Sequence, residues 1–167
     1  ERPSPYGGVQ VLDVVRGSTT NRIMLNDGIG QSAIDVANGL SLAPYTYGLE
    51  LLSLRYQPEA KRALIIGLGA GLLPKSLHAR GIISDVVEIN PVVVEVARQY
   101  FGYRGAGGEL AIEDARVYIN RARQQYDLVS LDAFVGEIAP SHLLTQQMFS
   151  AIKKLMNAGG VLTLNLP

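Results

Sequence analysis

A short apolar run ending in alternating glycines, Arg62-Ala63-Leu64-Ile65-Ile66-Gly67-Leu68-Gly69-Ala70-Gly71, constrains this chain more than any other stretch. An apolar run of that length without polar alternation predicts a strand buried on both faces, as in a parallel sheet, turning sharply into a helix. The absent side chains leave the backbone open to a ligand lying against it. The next apolar run, Ile82-Ile83-Ser84-Asp85-Val86-Val87, ends in Glu88. A carboxylate at the tip of the strand after a glycine loop suits two ribose hydroxyls, because it accepts a hydrogen bond from each. The pair predicts a nucleoside site.

The dinucleotide fingerprint asks for glycine at its first, third and sixth positions. Leu72 stands at the sixth here. The glycines fall at Gly67, Gly69 and Gly71, a spacing more similar to the S-adenosylmethionine loop of Rossmann-like transferases. A dinucleotide site and a ligand-free glycine turn stay open as alternatives.

At 167 residues and 47% apolar content, the chain suits one domain with a sizeable core and a small appendage. It has no cysteine and only two histidines, far apart, so no metal is expected. Fifteen basic and fifteen acidic residues cancel, which leaves no global field to draw in nucleic acid. Arg116, Arg121 and Arg123 read as a solvated helix face. With no membrane-length apolar run and no signal peptide, a cytoplasmic location without membrane contact is expected. Opening on Glu1 rather than Met suggests that upstream sequence was removed.

Residues 9–15 and 22–25 read as strands around the turn-prone Gly17-Ser18-Thr19-Thr20-Asn21. Asn26-Asp27-Gly28 offers a tight turn to a third strand near Gln31 to Ile34. Residues 1–43 are therefore expected to form an antiparallel appendage, and 44–167 the main domain. A helix is predicted from Tyr45 to Tyr56, with Leu49, Leu52 and Tyr56 inward and Pro58 ending it. Beyond it strands alternate with helices, which predicts an α/β Rossmann-like fold: a mostly parallel sheet covered on both faces. Its strands are placed at Ala63 to Ile66, Ile83 to Glu88, Leu110 to Ile112, Asp127 to Asp132 and Val161 to Asn165. The helices are placed at Leu73 to Arg80, after Asn90-Pro91 with Val93, Val96, Ala97 and Tyr100 on one face, after Asp114, and from Thr145 to about Met156. Gly159-Gly160 reads as the end of the last helix.

The order of motifs resembles the spermidine synthase (polyamine aminopropyltransferase) family, in particular its divergent spermidine-synthase-like branch. Asp27-Gly28-Ile29-Gly30-Gln31 is similar to the hairpin whose Gln reaches the nucleoside. Tyr45-Thr46-Tyr47 falls at the tyrosine-bearing helix, with Tyr47 as the ligand contact. Ile66-Gly67-Leu68-Gly69-Ala70-Gly71 resembles the glycine loop and Val87-Glu88-Ile89-Asn90-Pro91 the ribose motif. Glu113-Asp114-Ala115-Arg116 resembles the adenine motif, in which the Asp accepts from the exocyclic amine. Tyr126-Asp127-Leu128-Val129-Ser130-Leu131-Asp132-Ala133-Phe134 resembles the strand ending in the catalytic Asp, here Asp132, and Pro140-Ser141-His142-Leu143-Leu144-Thr145 the loop that follows. The resemblance implies an S-adenosyl co-substrate, a small-molecule amine acceptor, a homodimer, and further C-terminal strands that this sequence lacks.

Several positions depart from the family pattern. Ala70 and Val135 stand where carboxylates are usual, and Gly48 and Leu49 follow Tyr47 in place of a polar pair. Binding a polyamine requires carboxylates spaced along a slot. Glu50 and Glu137 are candidates to stand in. Three functions stay open: aminopropyl transfer from decarboxylated S-adenosylmethionine, methyl transfer from S-adenosylmethionine, and a non-catalytic nucleoside-binding or assembly module. A cationic or N–H-rich pocket near Gly69 to Gly71 would favour methyl transfer. Asp132 is the candidate proton acceptor, with a turn-capping role as its alternative. His142 is either a general base beside Asp132 or a surface residue, and His78 is expected to be structural.

Overall fold

A computed structural model describes residues 1–133 and 141–165. Three strands, β1 (Val9–Arg16), β2 (Thr19–Asn26) and β3 (Ile29–Asp35), form an antiparallel sheet. Asp27 and Gly28 both take positive φ in the tight turn between β2 and β3. Helix α1 (Pro44–Tyr56), with Pro at its first turn, leads into the α/β part.

That part runs β4 (Arg62–Ile66), α2 (Leu72–Ala79), β5 (Ile83–Glu88), α3 (Pro91–Tyr100), β6 (Gly107–Ile112), α4 (Ala115–Arg121), β7 (Tyr126–Leu131), a single 3₁₀ turn at Ser141–Leu143, α5 (Gln146–Lys154) and β8 (Met156–Leu164). The five strands are parallel, in the order β6-β5-β4-β7-β8. Period-two alternation divides the core between the two faces. Ala63, Ile65 and Val86 pack with Leu73, Leu77, Val94 and Val96 of α2 and α3. Leu64, Ile66 and Val87 pack with Tyr118, Ile119, Met148 and Ile152 of α4 and α5. Val9 and Met24 of the N-terminal sheet join the first of these clusters, so the two sheets share a core.

The valine run at the start of α3 is helical because Asn90 caps it, accepting from the Val92 N–H at 3.0 Å, and because Val93, Val96 and Ala97 are buried along one side. Two expectations are corrected. Helix α1 buries Thr46, Leu49, Glu50 and Ser53, whereas Leu52 and Tyr56 are 54% and 70% exposed. Its inward polar groups are paired: Glu50 accepts from Arg80 Nε at 2.7 Å, and the Ser53 hydroxyl meets Thr163 Oγ1 at 3.4 Å. Helix α5 stops at Lys154, and Gly159-Gly160 lies inside β8. Pairing with β7 begins at Met156, opposite Tyr126, and resumes after an irregularity at Val161, opposite Leu128, with Gly159 at φ 76° between them.

Among the described residues no helix is long and apolar enough to cross a membrane.

Candidate functional site

The sheet order creates a switch point, because the chain leaves β4 for β5 on one side and returns as β7 on the other. Ligands of open α/β sheets lie at such points, outside the carboxyl ends of the strands. Here the loop after β4 meets the end of β7: the Asp132 N–H donates to Ile66 O at 2.8 Å, and the Gly67 N–H donates to Val87 O at 2.8 Å. A Cβ on Gly67 would stand 2.1 Å from the Asp132 carbonyl oxygen, and its φ is 94°, so only glycine fits. Gly67 and Gly69 line a cavity of about 340 Å³. Gly71 does not, although sequence placed it at the ligand. It is the N-cap of α2, and a Cβ there would fall 2.7 Å from the buried Tyr103 ring.

Four carboxylates line this cavity: Glu88 at the end of β5, Glu113 and Asp114 after β6, and Asp132 after β7. Glu88, ending β5, accepts from the Leu68 N–H at 2.9 Å and the Asn90 N–H at 2.8 Å, one on each oxygen. Those bonds fix the carboxylate, and each oxygen keeps a further acceptor site. Burial pushes its carboxyl above the ordinary range, against the pull of the N–H groups of Asn90, Leu68 and Ile89. Asp114, following β6, spends Oδ1 on capping α4 through the N–H groups of Arg116 (2.8 Å) and Val117 (3.3 Å). Its Oδ2 lies 3.4 Å from His142 Nε2. Asp132, just past β7, has Oδ1 held by Asn165 Nδ2 at 2.9 Å. Burial raises the Asp132 carboxyl, opposed by that bond. Ala115 also lines the cavity, as do Glu113 and Leu143. Glu113 is bound to Arg121.

The N-terminal sheet closes the opposite wall with Met24, Asn26 and Gln31. Ser32 Oγ accepts from the Ala70 N–H at 3.3 Å, so β3 clamps the glycine loop. Tyr45, not Tyr47, is the tyrosine of this wall. The Tyr45 hydroxyl donates to the Gln31 carbonyl at 2.9 Å. Burial and the charge of Asp132 push the Tyr45 hydroxyl up to about 12, against a hydrogen bond with Ser32. Tyr47 lies 39% exposed and donates to Ser41 O at 3.0 Å, because its position on α1 turns it away from the cleft. Glu50 is likewise turned to Arg80 rather than the cavity. Glu137 and Val135 lie outside the described residues.

Two further polar groups of the cavity wall went unread in the sequence. Asn90 Nδ2 and Asn26 Oδ1 are buried with no hydrogen-bond partner among the described residues. The Asn90-Pro91 helix-start pattern is visible in the sequence, but it gives no sign that Asn90 lines a cavity. His142, expected either beside Asp132 or at the surface, is 47% exposed, and among the described residues it pairs with Asp114. No Lys or Arg lines the cavity among the described residues, and no group of three or more His, Asp or Glu there could hold a metal ion.

Fold and switch-point cleft together define a Rossmann-like transferase architecture. A match to the spermine/spermidine synthase domain spans residues 44–165, and the chain belongs to that family. It is similar to a polyamine aminopropyltransferase of Vibrio vulnificus, 42% identical over 123 residues, covering 70% of this chain and 41% of that protein. It is also similar to an N-terminal histidine N-methyltransferase of Emericella nidulans, 39% identical over 108 residues, covering 62% of this chain and 19% of that protein. This chain thus spans less than half the length of either relative. Among solved structures, a probable spermidine synthase from Corynebacterium glutamicum superposes with a TM-score of 0.80 at 18% identity, covering 98% of this chain and 64% of that one. Human methyltransferase-like protein 13, solved with SAH, superposes with a TM-score of 0.55 at 26% identity, covering 70% and 59%.

Proposed function

We propose that this chain binds the adenosine of an S-adenosyl compound and transfers an aminopropyl group from the decarboxylated form to a small amine acceptor. The observation that carries the reading is that Glu88, Asp114 and Asp132, at the carboxyl ends of β5, β6 and β7, line one cavity. In this assignment Glu88 accepts from the ribose hydroxyls, Asp114 from the adenine amine, and Ala115 borders the base. Gln31, Gly67 and Gly69 contact the nucleoside, and Asp132 faces the reacting centre.

Transfer is a displacement at the carbon attached to the sulfonium. The acceptor nitrogen forms the new C–N bond while the C–S pair returns to sulfur, releasing methylthioadenosine. The chemistry is mostly positioning, plus removal of one proton from the acceptor amine. In this reading Asp132 takes that proton, a role supported by its burial, which raises the carboxyl and makes the carboxylate a better acceptor than an exposed one.

Two features favour the decarboxylated ligand. The described lining offers no cation for the carboxylate of S-adenosylmethionine. The N–H groups of Leu68, Ala70 and Gly71 already donate to Glu88, Ser32 and Leu68 O. Methyl transfer is the second reading, supported by the similarity to an N-methyltransferase and by Ala70 in the glycine loop.

Calorimetry with S-adenosylmethionine, its decarboxylated form and methylthioadenosine separates these readings. The expected order places the decarboxylated form and methylthioadenosine well ahead of S-adenosylmethionine. Tighter binding of S-adenosylmethionine moves the assignment to methyl transfer, and binding of none leaves a non-catalytic module.

A further inference from the structure

We propose that His142 is a second reader of the nucleobase edge, acting through Asp114: a neutral imidazole leaves the free Asp114 oxygen to a 6-amino group, and a protonated one occupies it. This rests on the adenosine assignment above.

Asp114 has one oxygen to give. Oδ1 is committed to the Arg116 and Val117 N–H groups at the start of α4, which leaves Oδ2 as the oxygen of this cavity-lining residue with open acceptor capacity. His142 Nε2 stands 3.4 Å from that oxygen. This is longer than a tight charge-assisted bond, and short enough for an ion pair to close. The backbone of His142 is anchored, because its carbonyl accepts from Thr145 Oγ1 at 3.5 Å, the Ser141 carbonyl accepts from the Leu144 N–H at 3.2 Å, and Leu143 is buried against α4 and α5. The imidazole itself is half exposed and lines the same cavity as Asp114.

A base amine and an imidazolium therefore compete for one lone-pair region. A neutral imidazole can turn its unprotonated nitrogen to the same amine, which has two N–H groups to offer. The other titratable groups facing this space are Glu113 beside Asp114, Glu88 on β5, Asp132 after β7, and Tyr6 and Tyr45 from the N-terminal side. Glu113 is engaged by Arg121. Asp132 is held by Asn165 and Glu88 by backbone N–H groups, which leaves His142 as the described group of this wall able to carry a positive charge.

The test uses methylthioadenosine, which carries no amine tail or carboxylate to confuse the titration. Its affinity for the wild-type chain is expected to fall about tenfold between pH 8 and pH 5.5, as binding becomes linked to loss of one proton. In His142→Ala, and in His142→Phe, which keeps the bulk, affinity at pH 8 falls with the loss of the imidazole acceptor, and the further fall in acid disappears. A parallel fall in wild type and both variants assigns the effect to Glu88 or Asp132 and overturns the proposal, as does a flat wild-type profile. Failure of the wild type to bind methylthioadenosine at any pH overturns the adenosine assignment itself.

Discussion

At the scale of single residues, the candidate chemistry concentrates in Asp132. Its backbone N–H closes the β4–β7 junction, and its side chain is held by Asn165. Asp132→Asn retains an oxygen for Asn165 and the shape of the site while removing the proton acceptor. Turnover of the decarboxylated ligand is expected to fall by about 10² to 10⁴, with methylthioadenosine affinity changed less than threefold. Steady-state kinetics beside calorimetry checks this, and an equal loss in both would assign Asp132 to binding rather than chemistry. Glu88, Asp114 and Asp132 were legible in the sequence because each lies at or within two residues of a strand's carboxyl end, and in a parallel sheet those ends converge on the switch point. Tyr45 and Gly71 were not. Which of two tyrosines, Tyr45 or Tyr47, faces the cleft depends on the helix phase set by Pro44, and the need for glycine at position 71 comes from Tyr103, far along the chain.

At the scale of elements, the parallel strands were readable from continuous apolar runs and turn residues, and the faces of α1 and the border of α5 with β8 were not. Helix α1 hides Glu50 and Ser53 because partners just past the end of α2 and on β8 satisfy them, information that no periodicity contains. The start of β8 is set by long-range pairing. Asp127, at the start of β7, accepts through Oδ2 from the Lys61 and Arg62 N–H groups at 2.8 and 3.0 Å and through Oδ1 from Asn157 Nδ2 at 2.7 Å. One side chain thus ties β4, β7 and β8 together. Burial raises its carboxyl, but the bonds from Lys61, Asn157 and Arg62 outweigh that and hold it below its ordinary value. Asp127→Ala is expected to cost about 2 kcal/mol of stability at neutral pH, measured by chemical denaturation. Asp127→Asn costs less, since its oxygen keeps both backbone N–H groups and Asn157 can flip. A carboxyl held low stabilises the fold above its unfolded value, so the gap between wild type and Asp127→Ala closes as pH falls below that range.

At the scale of the whole molecule, two sheets meet over one cleft, and the cost of building that cleft is electrostatic. The N-terminal sheet contributes Met24, Gln31 and the Ser32 clamp, and it buries the acids that β5 and β7 present. Burial raises both Glu88 and Asp132 above their ordinary values, so each ionises more readily in the unfolded chain than in the folded one. Such a group favours the fold while protonated, and its contribution is lost as pH rises from the ordinary carboxylate range through the raised folded value. Asp132 offers the cleaner probe, because its hydrogen bond from Asn165 survives replacement by Asn. In the absence of ligand, Asp132→Asn should therefore melt on the order of a few degrees above wild type at pH 7 to 8. Toward pH 4 the two melting curves should converge, as wild-type Asp132 takes up its proton in the folded state. Thermal scans across that range test the argument directly. A variant less stable than wild type at neutral pH would mean that the ionised carboxylate contributes more to the cleft through its hydrogen bond than it loses through burial.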